Sequence, residues 1–167
     1  MMGENIMTIK RLLGVLTLGL ALMTLAACGQ KSTESIIKNE LKDSYTGYSE
    51  NPGGDYPFND GNDTLIFNKK DNSITNSQGQ STYFSVISEE DIPPSTQHII
   101  EGLQSELKGT DNFTVTINST EKNPTRKQAE GAYQIALSDG GKKIRIIEVD
   151  RDSRDFGYYD FSGTADE

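Results

Sequence analysis

Few side chains in this sequence have obvious chemistry to offer. Its 167 residues include one cysteine, Cys28, and one histidine, His98. A lone thiol cannot close an internal disulfide or form a Cys-x-x-Cys pair, and a lone imidazole excludes a multi-histidine metal site. His98 would have to be the base of any nucleophilic triad. It stands just before Ile99 and Ile100 at the start of a predicted helix, as a solvent-facing or capping residue would. The chain has no Gly-x-Ser-x-Gly elbow, no His-Glu-x-x-His and no phosphate-binding glycine loop.

Carboxylates are abundant: 25 Asp+Glu against 16 Lys+Arg give a net charge of −9. That balance is a poor match for nucleic acid, which is bound by clustered Lys and Arg. Two clusters, Asn59-Asp60-Gly61-Asn62-Asp63 and Asp150-Arg151-Asp152-Ser153-Arg154-Asp155, have oxygens of the kind calcium takes. The second begins like an EF-hand loop and then fails: Arg154 replaces a ligand, Asp155 stands where glycine is needed, and Phe161 stands where glutamate is needed. Both clusters read first as solvated turns, so no metal or other cofactor is expected. A carboxylate pair for glycoside hydrolysis could be drawn from so many acids, but no pair stands out.

The chemistry with a clear pattern lies at Cys28. Lys10 and Arg11 precede an uncharged run over residues 12–27. At 1.5 Å per residue that run reaches roughly 24 Å, short for a hydrocarbon core of about 30 Å. It fits the apolar region of a signal peptide better than a membrane span. Leu25-Ala26-Ala27-Cys28 follows and resembles the lipobox of bacterial lipoproteins. The resemblance implies signal-peptidase recognition through Leu25, Ala26 and Ala27. It also implies a thioether from the Cys28 thiol to diacylglycerol, and removal of residues 1–27. Two acyl chains anchor stably where one does not. The expected location is therefore the outer, extracytoplasmic face of a cell membrane, anchored without spanning. The Lys-, Asn- and Asp-rich body is similar to small lipoproteins of Gram-positive type. Met7 makes a more ordinary start than Met1, because Glu4 is unusual in a basic n-region.

The charges divide at the same point. Residues 1–27 carry Glu4, Lys10 and Arg11, so the −9 of the whole leaves −10 for residues 28–167. Residues 28–31 form a lipidated N-terminus and short tether; the three after Cys28 reach about 10 Å. Residues 32–167 then read as one extracytoplasmic domain.

Its expected fold is α+β, mainly an antiparallel sheet of about six to seven strands with a barrel-like curl. A short N-terminal helix is predicted over residues 32–43, with Ile37, Leu41 and Tyr45 on one face. Residues 49–63 carry Pro52, Gly53, Gly54, Pro57 and Gly61 and form a long loop, of the kind that is either functional or disordered. Strands are predicted at residues 64–68, 73–76, 82–88, 113–118, 132–138, 143–149 and 156–161. One amphipathic helix at residues 95–108 has Ile99, Ile100, Leu103 and Leu107 at helical spacing, with Pro93-Pro94 before it and Gly109 after it.

The long loop is the candidate ligand site: Tyr56, Phe58, Asp60 and Asp63 could meet a sugar or a peptide. The competing reading makes Tyr56 and Phe58 anchors that fold back on the domain, and the sequence favours it. Three functions remain. The first is a non-catalytic domain binding a small ligand or an envelope protein. The second is an envelope hydrolase working through carboxylates. The third, a transport-associated solute receptor, is disfavoured because about 140 mature residues are short for two lobes.

Overall fold

A computed structural model describes residues 31–150 and 157–167. Leu25, Ala26, Ala27 and Cys28, which resemble a lipobox, lie outside the described residues, as does most of the 150–155 acidic cluster. Contacts divide the chain into a unit over Met1–Ser32 and a unit over Thr33–Glu167, and the helices and strands below belong to the second.

It begins with helix α1 (Thr33–Asn39) and strands β1 (Ser44–Ser49), β2 (Gly61–Asn68), β3 (Ser73–Thr75) and β4 (Ser81–Ile87). Helices α2 (Pro94–Gly102) and α3 (Gln104–Leu107) follow, then β5 (Asp111–Asn118), β6 (Gly131–Ser138), β7 (Lys143–Glu148) and β8 (Asp160–Ala165). Each strand pairs antiparallel with the next, and β8 pairs with β1, which closes the sheet into an eight-stranded barrel. Among the described residues, closure leaves no free strand edge to recruit another chain.

The fold is thus mainly antiparallel β with few helices, as the residue patterns imply, and has one strand more than they predict. The extra strand is β1. Its inward positions are Tyr45, Gly47 and Ser49, so only one carries an apolar side chain and period-two hydrophobicity is lost. The predicted helix over 32–43 stops at Asn39, and Tyr45 belongs to β1 instead. The last strand is displaced for the same reason. It runs from Asp160 to Ala165, with inward Phe161, Gly163 and Ala165, two of them small. The predicted 95–108 helix is two short helices that meet at Leu103.

The two inward glycines are needed where they stand. Gly47 and Gly163 face each other across the β1–β8 pair. A Cβ on either would come within 2.7 Å of the Phe161 ring. The ring takes the space that two side chains would otherwise claim, and the barrel closes around it.

The interior is filled. Tyr45, Phe67, Phe84, Phe113, Tyr133, Tyr159 and Phe161 project inward between Leu65, Ile74, Val115, Ile117, Ile135 and Ile146. Burying each large side chain contributes about 1.5–3 kcal/mol. Ile36 of α1 and Leu41 close one end. There the Tyr45 hydroxyl donates to the Gly141 carbonyl (2.8 Å) and accepts the Lys42 N–H (2.9 Å). Phe58 closes the other end, with its ring centroid 4.3 Å from that of Tyr133 and 4.9 Å from that of Tyr159.

A second apolar cluster lies outside the barrel. Leu103 and Leu107 pack on the outward residues Ala132, Ala136 and Ile147, so α2 and α3 roof β6 and β7.

Candidate functional site

The long loop is the first place to look for a site, and the structure divides its four candidate residues. Phe58 is buried in the barrel mouth, while Tyr56 is 62% exposed beside it. Asp60 is exposed, whereas Asp63 is buried at the start of β2. Asp63 Oδ1 accepts the N–H groups of Thr64 (2.7 Å) and Ser77 (3.0 Å). Tyr56 and Phe58 line one shallow cleft with Asp55, Asn59 and Glu130, but Asp60 and Asp63 do not line it, so the four do not converge on one point.

Backbone-directed hydrogen bonds fasten the rest of the loop. The Gly53 N–H donates to the Phe58 carbonyl (2.8 Å), closing the turn. Buried Glu148 takes the Gly54 N–H on Oε1 (3.1 Å) and the Tyr159 N–H on Oε2 (3.2 Å). The Asn76 side chain donates to the Pro57 carbonyl (3.0 Å). A carboxylate accepting two backbone donors is a structural pin, and such bonds to a charged group contribute about 1.5–3 kcal/mol each. Burial pushes the Tyr133 hydroxyl far above the ordinary phenol range, with the Glu148 and Asp55 carboxylates adding to the effect. Burial does the same for Tyr159, with Asp63 adding. These phenols stay neutral and act as packing. This end of the barrel is a plugged mouth.

A different arrangement lies on the flank, where the roof ends and the bare sheet begins. Tyr48 is an outward residue of β1 and is 52% exposed. Its register neighbours are Asn62 on β2 and Ser162 on β8. Arg145 projects outward from β7 opposite Ser162. Its guanidinium grips Asp160 with both arms: Nε donates to Oδ1 (2.7 Å) and Nη2 to Oδ2 (2.6 Å). The remaining arm, Nη1, meets Glu106 Oε2 of α3 at 2.6 Å. Fork-on-fork pairing of this kind is strong and fixes geometry. The Asp160 hydrogen bonds, and after them Glu106, hold the Arg145 pKa above its already high value. Tyr48 lines two clefts, one shared with Glu106 and Ser138 and the other with Glu50 and Tyr158; Arg145 and Ser162 line both.

This arrangement can recognise a ligand. Asp160 and Glu106 are both bound to one guanidinium, which fixes where their oxygens stand. The site therefore offers fixed acceptors, spare guanidinium hydrogens and an exposed aromatic face.

The His98 side chain is exposed on α2 and makes no hydrogen bond among the described residues. Among the described residues no group of three or more His, Cys, Asp or Glu is placed to hold a metal ion. Tyr48, Arg145, Asp160 and Glu106 were not visible as a set in the sequence. They come from three strands and a helix, with up to 112 positions between Tyr48 and Asp160. The one usable signal was an exposed-phase tyrosine in a strand that the pattern itself concealed. Comparisons with protein-family models, curated proteins and solved structures give no match to this chain.

Proposed function

We propose that this chain is a lipid-anchored, extracytoplasmic recognition module. The diacylglycerol on Cys28 holds it at the outer face of a bacterial cell membrane, and the flank site around Tyr48 binds its ligand without catalysis. The resemblance of Leu25-Ala26-Ala27-Cys28 to a lipobox supports the anchor. The observation that carries the binding reading is the Arg145 pairing. It ties both nearby carboxylates to one cation and leaves an exposed tyrosine lining two clefts. A filled barrel interior favours the outer surface as the binding surface, because side chains occupy the space that a lumenal ligand would need.

Two measurements test this. Cys28→Ala is expected to abolish labelling by a radioactive fatty acid and leave uncleaved precursor. Normal labelling and processing of that variant would overturn the anchor. The mature lipoprotein is expected to turn over no wall glycan, peptide or ester. Turnover abolished by Asp160→Asn or Glu106→Gln would replace recognition with hydrolysis at the same site.

A further inference from the structure

The charge distribution over the barrel is uneven. A quarter of the chain is Asp, Glu, Lys or Arg. The outward positions of β1, β2, β3 and β4 carry none of them. On β8 the outward positions after Asp160 are Ser162 and Thr164. What these strands present is hydroxyls and amides in register. Thr164, Thr46 and Thr64 form one row across β8, β1 and β2, and Ser162, Tyr48 and Asn62 form the next.

We infer that this uncharged sheet face docks an uncharged glycan chain, with Tyr48 as its stacking platform and Arg145–Asp160 as its polar end. The inference rests on the recognition reading above and names the ligand class.

Several features fit a neutral polyol. The hydroxyls are preorganised: the Thr46 and Thr64 hydroxyls are 2.8 Å apart and those of Thr75 and Ser81 are 2.7 Å apart, so each pair fixes its rotamers and keeps spare lone pairs. Neighbouring strands lie about 4.8 Å apart, so hydroxyls repeat across the rows at about the length of one pyranose ring. Tyr48 and Ile66, 52% and 48% exposed, offer flat apolar surface for the C–H face of a sugar. Arg145 has five N–H donors, and Asp160 and Glu106 take one each from Nε, Nη2 and Nη1. Among the described residues the second hydrogens of Nη1 and Nη2 have no recorded partner, which leaves them for a ligand hydroxyl beside the Asp160 acceptors.

The same features weigh against other partners. A polyanion or an anionic membrane would need clustered, unpaired Lys and Arg; here Arg145 is paired with Asp160 and Glu106, and Lys143 beside Thr164 is paired with Asp139, on a chain of net −9. A protein partner would be expected to find an aromatic and aliphatic centre. Here Tyr48 and Ile66 stand among hydroxyls and amides.

The test uses the mature lipoprotein in a sugar-free detergent, titrated calorimetrically. The probes are an uncharged N-acetylglucosamine oligomer, a cello-oligosaccharide, polyglycerol phosphate and a basic peptide. At least one uncharged oligosaccharide is expected to bind. Tyr48→Ala should weaken it at least about tenfold, Tyr48→Phe should keep most of the affinity, and Thr46→Lys should block the row. Tyr56→Ala, in the plugged mouth, should change nothing. Tyr48-dependent binding of the polyanion or the peptide alone would overturn the glycan assignment and leave the recognition site standing. Loss of oligosaccharide binding with Tyr56→Ala and not with Tyr48→Ala would move the site to the loop and overturn the inference. Absence of Tyr48-dependent binding to every probe would overturn both the inference and the reading beneath it.

Discussion

The two flanks of this barrel share a closed antiparallel ladder and differ in what lies over it. On β6 every residue from Gly131 to Leu137 is buried, because inward Tyr133, Ile135 and Leu137 meet the core while outward Ala132 and Ala136 meet the helical roof. On β1 burial alternates, and outward Thr46 and Tyr48 are exposed. Polar groups on the roofed flank are linked to each other. The Thr114 hydroxyl donates to Gln134 Oε1 (2.6 Å), and the Gln134 amide donates to Asn112 Oδ1 (2.8 Å). On the bare flank the hydroxyls pair sideways and still face outward. Small outward residues admit helices at close range, and exposed hydroxyls keep a sheet wet. The bare flank is therefore a finished surface with a composition of its own.

The sharpest way to break this comparison is from inside, where both flanks depend on the same filling. Phe161 is fully buried against Gly47 and Gly163, which leave no neighbouring side chain to refill its space. Phe161→Ala is expected to cost about 3–5 kcal/mol, read as a lowered urea midpoint with an unchanged denaturant slope. A cost under about 1 kcal/mol would mean that the barrel collapses onto the gap and that the glycines are not holding a fixed cavity.

Next comes the roof. Ile147 points outward on β7, is 0% exposed, and packs with Leu103 and Leu107. Ile147→Ala should cost about 2–5 kcal/mol and raise hydrogen exchange in α2 and α3 before it does so in the strands. Uniform loosening of the barrel would show that the helices are part of one cooperative core with the interior.

Alkaline titration tests the interior without mutation. Burial raises the pKa of Tyr45, Tyr133 and Tyr159. The sign follows from the folded state holding those protons more tightly than the unfolded chain does. The contribution is fully present below the unfolded phenol pKa of about 10 and is lost as pH rises above it. Each tyrosine that remains neutral when folded should lower stability by about 1.4 kcal/mol per pH unit above that point. Tyrosinate absorbance from these three should develop together with unfolding. Their early, independent ionisation would mean that the barrel ends admit water.

Legibility from sequence follows the same division between regions. Strands such as β5, where Phe113, Val115 and Ile117 alternate, were plain because a filled interior demands large apolar residues at period two. β1 and the end of β8 were obscured because Gly47 and Gly163 accommodate the Phe161 ring, and hydropathy does not record a space left for a neighbour. The loop residues Tyr56, Phe58, Asp60 and Asp63 formed a cluster on paper. In space they alternate between inward and outward positions, and Phe58 and Asp63 serve the fold. The flank set of Tyr48, Glu106, Arg145 and Asp160 had no sequence signature, since barrel closure alone brings the first strand against the last.

The smallest expected effect is the one that bears most directly on the bare flank. Ile66 is outward on β2 and 48% exposed, between Ser44 on β1 and Thr75 on β3. If nothing in the folded monomer covers that face, little apolar area leaves water there. Threonine also keeps the β-branching that suits a strand. Ile66→Thr should then shift stability by no more than about 0.5 kcal/mol, against several for Ile147→Ala on the roofed side. Chemical denaturation of both variants side by side gives the ratio. A loss at Ile66 comparable to that at Ile147 would mean that the bare flank is covered in the native protein, and the distinction between the flanks would fall.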